Sequence, residues 1–106
     1  MTAVLDYEVK ESPIHGKGIF AVREIQKDTL IGTYEGPETY DDGTYVLWCY
    51  DEDDKMFGID GRNDLRFANH SSKPNAIFLG DELVALRAIA PGEEITFHYG
   101  EDWAHI

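Results

Sequence analysis

Short runs of apolar residues recur along the chain and are broken by Gly, Asp, Asn or Pro. They cover residues 7–10, 18–22, 29–34, 45–50, 56–59, 76–79 and 82–88 and are rich in Ile, Val, Leu, Phe and Tyr. Runs of this length and composition, bounded by turn formers, predict strands, so the fold is expected to be mainly β. No window of ten or more residues carries a 3.6-residue apolar period with caps. Residues 63–68 predict at most a single helical turn. Neither a repeat nor a linker interrupts the pattern, and 106 residues predict one domain spanning 1–106.

Composition adds a core and a field. Five Phe, six Tyr and two Trp within a 42% hydrophobic chain supply buried volume, and ten Gly and four Pro supply turns. The formal charge of -12 repels nucleic-acid phosphate and attracts cations, which argues against direct nucleic-acid binding and for a basic partner; solubility alone accounts for the charge equally well. Asp41-Asp42 and Asp51-Glu52-Asp53-Asp54 fall at expected turns, as solvated loops or as a docking surface for a basic chain. The second cluster lacks the spacing of a calcium loop. Cys49 is the only cysteine, so an internal disulfide is excluded and a thiolate metal cluster is not expected. With no apolar run near the ~20 residues of a membrane span and no signal-peptide pattern, the chain is expected to be intracellular and soluble, cytoplasmic or nuclear, with no membrane partner.

Several residue groups could carry chemistry. Gly16-Lys17-Gly18 marks a tight turn, whose use at a site is close approach of backbone to a ligand that a Cβ would block. It opens a predicted strand rather than a helix, which disfavours a dinucleotide site. Asn69-His70-Ser71 looks superficially like part of a hydrolase triad, but no Gly-x-Ser-x-Gly elbow accompanies it, and adjacent residues on a loop point apart. By themselves Asn69, Ser71 and Asn75 read equally as holding a turn closed by Pro74. His15, His70, His98 and His105 show no metal-ligand spacing, so no metal site is expected. Cys49 reads as a small buried hydrophobe.

Three strings, taken together, resemble the SET-domain lysine methyltransferases over roughly residues 8–103: His15-Gly16-Lys17-Gly18-Ile19-Phe20-Ala21, Arg66-Phe67-Ala68-Asn69-His70-Ser71-Ser72-Lys73-Pro74-Asn75 and Gly92-Glu93-Glu94-Ile95-Thr96-Phe97-His98-Tyr99-Gly100. The resemblance implies a β-clip fold of several small sheets with a threaded C-terminal segment. It implies S-adenosylmethionine as cofactor, bound by Gly16, Lys17, Gly18, Asn69, His70, Tyr99 and Trp103, with Tyr99 as the catalytic residue. Tyr34, in Thr33-Tyr34-Glu35-Gly36, and Phe78 are implied to line the lysine channel, where Phe rather than Tyr at 78 leaves room beyond monomethylation. The implied activity is protein-lysine N-methylation of a basic protein such as a histone or ribosomal protein. A non-catalytic SET-like module binding a basic peptide is the alternative. The chain departs from many relatives in lacking cysteine-rich zinc segments, in the short stretch 37–65 before Arg66, and in carrying His98 where the family motif usually has Asp. For so compact a core, a homodimer that completes the substrate cleft is one arrangement left open.

Overall fold

The computed structural model describes residues 5–98. Ten strands and one short helix follow in order: β1 (Tyr7–Glu11), β2 (Lys17–Ala21), β3 (Leu30–Thr33), β4 (Glu38–Thr39), β5 (Val46–Tyr50), β6 (Met56–Asp60), the 3-10 turn η1 (Asp64–Phe67), β7 (Asn69–His70), β8 (Ala76–Leu79), β9 (Glu82–Ala85) and β10 (Glu94–Phe97). They form three small sheets with strand orders β1-β2-β10-β7, β3-β9-β8 and β4-β6-β5. All seven expected strands are present, and the helical turn expected at 63–68 is η1. The last expected run, 82–88, stops pairing at Ala85.

Local chemistry explains the hairpins. Between β5 and β6, Asp51 Oδ1 accepts from the backbone N–H groups of Asp53 (2.8 Å) and Lys55 (2.9 Å), and Asp54 takes φ +59°. The acidic run is thus partly a built turn, with Asp as a side chain that caps its own backbone. Between β8 and β9, Gly80 opens the two-residue turn at φ +63°, a conformation glycine enters without a Cβ penalty. β2 is buried from Gly18 to Ala21 rather than on alternate residues, as expected of a strand covered on both faces.

The core lies where the sheets meet. Ile19 and Ile95 come from the first sheet, Leu83, Ala76 and Ile31 from the second, Cys49 and Ile59 from the third, and Leu65 from η1. Ile25 and Ile89 add a two-bond bridge, each backbone N–H donating to the other's carbonyl at 2.9 and 2.8 Å.

β10 is the strand on which the sheets converge. It pairs antiparallel with β2 through Glu94 and Ile95, and parallel with β7 through Thr96 and Phe97. The loop reading of Asn69-His70 is therefore corrected: the two residues form a strand, and Ser71 N–H extends the pairing to Phe97 O at 2.9 Å. Asn75, only 2% exposed, completes the satisfaction of β10. Its Nδ2 donates to Glu94 O (2.7 Å), its Oδ1 accepts from Thr96 N–H (2.8 Å), and its own backbone O accepts from Leu86 N–H (2.8 Å). A side-chain amide offers a donor and an acceptor side by side, so Asn75 stands in for a neighbouring strand. Asn75→Ala leaves two β10 backbone groups without partners at roughly 1–3 kcal/mol each, and denaturant unfolding is expected to show a loss of about 2–6 kcal/mol.

Candidate active site

The loop after β1 closes tightly. Ser12 N–H donates to Gly16 O (2.8 Å), Ser12 Oγ accepts from Ile14 N–H (3.0 Å), and Gly16 takes φ +46°. Two residues on, a Cβ at Gly18 would overlap the Glu94 carboxylate and approach Asn69 Nδ2 to 3.1 Å. The two glycines therefore serve different ends: Gly16 turns the chain, and Gly18 makes room for side chains arriving from β7 and β10.

Asn69 reaches this turn because β7 lies along β10. Its Nδ2 donates to Lys17 O (3.0 Å), His15 O (3.2 Å) and Glu94 Oε2 (2.9 Å). Three acceptors around one terminal atom identify it as the amide nitrogen and turn Oδ1 away from the turn. Glu94 also accepts from Ser12 Oγ, at 2.9 and 2.8 Å to its two oxygens. Two carbonyls and a carboxylate thus converge behind a glycine, and a carbonyl oxygen has two lone pairs to share among donors. Such a cradle suits an alkylammonium group. The Lys17 side chain leaves it, its Nζ lying 5.6 Å from the centre of the Phe67 ring, over which the Arg66 guanidinium also lies at 4.1 Å.

A second group is aromatic. The Tyr34 hydroxyl donates to Tyr45 O (2.5 Å), its ring meets Phe78 edge to face at 5.7 Å, and Phe78 meets Phe97 the same way at 5.0 Å. Gly61 packs so closely that a Cβ there would overlap the Tyr34 ring. These rings, with Tyr45, Leu65 and Ala68, line a narrow hollow of about 40 Å³. It borders a wider one of about 610 Å³, lined by Asp42, Leu47, Trp48, Cys49, Phe97 and His98 among others. Phe78, Phe97, Thr44, Val46 and Leu47 belong to both. The larger volume is in the range of small-molecule clefts.

The structure thus gathers the expected cofactor residues Gly16, Lys17, Gly18 and Asn69 in one place, and the expected channel residues Tyr34 and Phe78 in another. His70 connects them: it pairs with Phe97, and its ring lies 4.6 Å from that of His98. Tyr99 and Trp103 lie outside the described residues, as does the segment expected to be threaded. Among the described residues no cluster could hold a metal ion, and no helix is long and apolar enough to cross a membrane. Sequence reasoning missed Glu94, Ser12, Tyr45 and Phe97. Glu94 gave one faint signal, an acidic residue immediately before the Ile95-Thr96-Phe97 segment.

Cys49 borders the wide hollow yet is only 4% exposed, and burial, with a smaller contribution from Asp81, pushes its thiol up from the usual cysteine range. Because the thiolate is the reactive form, alkylation of native protein at pH 7.5, followed by mass spectrometry, is expected to run at least about tenfold slower than in denaturant.

Comparison with known proteins gives the same answer from several directions. A family model described as "SET domain" matches residues 16–100. Histone-lysine N-methyltransferase MEDEA of Arabidopsis thaliana is 31% identical over 86% of this chain, and human histone-lysine N-methyltransferase 2B is 32% identical over 86%. The chain spans 16% and 4% of the lengths of these two relatives. In fold it is similar to the methyltransferase domain of human PR domain-containing protein 2, with a TM-score of 0.73, 22% identity, and coverage of 98% of this chain and 84% of that one.

Proposed function

Because the chain belongs to the SET-domain family, we propose that it is an S-adenosylmethionine-dependent protein-lysine N-methyltransferase acting on a basic protein chain. The observation that carries the reading is the parallel pairing of β7 with β10, which sets Asn69 against the Gly16–Gly18 turn; in sequence, Tyr99 follows two residues after the last residue of β10. The cradle of His15 O, Lys17 O, Asn69 and Glu94 fits the ammonium of the cofactor's amino-acid end. When bound, S-adenosylmethionine supplies an electrophilic methyl group on a sulfonium.

The chain's own task is to present a neutral amine in line with that methyl. Free lysine, with a pKa near ~10.4, is almost wholly protonated at neutral pH. A narrow channel walled by Tyr34, Phe78 and Phe97 strips water from the ammonium and so favours its neutral form. Tyr99 is assigned the catalytic role of orienting the amine through its hydroxyl, and Trp103 that of closing the pocket. His70 supports the strand beside the cofactor. Alignment of this kind contributes several kcal/mol when the reacting atoms are held at near-attack distance.

Substrate class follows from charge. The wide hollow is bordered by Asp42 and by Tyr50, next to the acidic turn 51–54, within a chain of net charge -12. A lysine-rich segment suits that field, and the histone-lysine names of the relatives agree with a histone-like substrate, which would place the protein with chromatin in a nucleus.

Calorimetric titration with S-adenosylmethionine tests the cofactor: binding is expected, and Asn69→Ala is expected to weaken it at least about tenfold, or about 1.4 kcal/mol. No binding up to about millimolar would favour the non-catalytic peptide-binding module. Tyr99→Phe is expected to lower kcat by about 10²-fold or more while leaving cofactor Kd within about threefold; equal loss of both would make the tyrosine structural. Mass spectrometry of methylated product is expected to show di- or trimethyl-lysine, reduced towards monomethyl by Phe78→Tyr, whose added hydroxyl narrows the channel.

A further inference from the structure

Two consecutive glutamates, Glu93 just before β10 and Glu94 its first residue, have opposite fates. Neighbouring side chains of a strand point to opposite faces. Glu93 meets a cation: Arg87 Nη2 lies 2.7 Å from its Oε2. Glu94 faces the Gly16–Gly18 turn, and its hydrogen-bond donors, Ser12 Oγ and Asn69 Nδ2, are both neutral. Among the described residues no ion pair neutralises it. The absence of a Cβ at Gly18 leaves room for the carboxylate, which a Cβ there would displace. The protein therefore keeps a partly buried carboxylate, held by neutral hydrogen-bond donors, directly behind the two carbonyls of the cradle.

We infer that Glu94 is a positioning and selectivity residue: it orients the Asn69 amide and makes the cradle selective for a ligand bearing an ammonium group. The inference rests on the cofactor reading of this site and extends it to a residue outside the expected set. By accepting from Nδ2, Glu94 fixes which end of the Asn69 amide faces the turn, so that Oδ1 remains available as an acceptor. By its charge it favours a cationic occupant over a neutral isostere. Ser12 supports the carboxylate without neutralising it.

The test is calorimetric titration of wild type, Glu94→Gln and Ser12→Ala with two probes: S-adenosylhomocysteine, and its analogue lacking the α-amino group. Glu94→Gln keeps the shape and an acceptor for Asn69 but removes the charge. Ser12→Ala loosens the network but retains it. Wild type is expected to prefer the amino-bearing probe, and Glu94→Gln is expected to reduce that preference by about tenfold, the size of one partly desolvated charge interaction. Ser12→Ala is expected to leave the preference within about threefold, and thermal unfolding scans check that each variant folds. Equal weakening of both probes by Glu94→Gln, or an unchanged preference, overturns the inference while leaving the cofactor reading intact. Failure of wild type to bind S-adenosylhomocysteine overturns both. Should Glu94→Gln not fold, Glu94→Ala, which also removes the charge, is used in its place, with the same outcomes deciding.

Discussion

The backbone of β10 must be satisfied inside the protein, and most of the structure follows from how that is done. Ile95, Thr96 and Phe97 are buried, so their peptide groups have no recourse to water and need protein partners. β2 serves one stretch, the two-residue β7 another, and the amide of Asn75 a third. Each of those partners arrives from a different part of the chain. In satisfying one strand they draw the turn after β1, the segment after η1 and the end of the second sheet around a common point.

That arrangement also sorts charge. Glu93 and Glu94 diverge from adjacent positions, and Arg87 holds the Glu93 carboxyl below the usual glutamate range, helped by Ala90 N–H and Asn75. The resulting contribution to stability is present above the ordinary glutamate pKa and is lost as pH falls through the lowered folded value. Glu93 is thus a strap for the 87–93 turn, while Glu94 turns to the Asn69 amide and Ser12. The remaining acidity, concentrated in the turns around β5, adds a field that favours cationic partners, although Asp51 shows that a single residue can both form a turn and contribute to that field.

Much of the architecture was legible beforehand. The strand runs are long enough to reveal composition and turn boundaries, and their hairpin partners are close in sequence, so β5–β6 and β8–β9 could be anticipated from residues such as Asp51 and Gly80. β4, β7 and β10 were not anticipated. Two residues carry no period, and β10 is only four residues long, Glu94-Ile95-Thr96-Phe97, too few alternating positions to stand out beside the longer runs. Asn75 was read only as part of a turn, because an amide that replaces a strand looks in sequence like any loop asparagine.

The sequence alone determined the β character, the helical turn at 63–68, the absence of an internal disulfide, the acidic field and, through three separated strings, the family. These are properties of composition, local pattern and motif order. Only the tertiary structure decided that Asn69 spans His15 O and Lys17 O, that Tyr34, Phe78 and Phe97 form one aromatic wall, and that Glu94 rather than Glu93 faces the glycine turn. Each of these depends on pairings between residues far apart in the chain, and on the register that selects which face of β10 each side chain occupies. Such register is set by packing across the core, which no local period encodes.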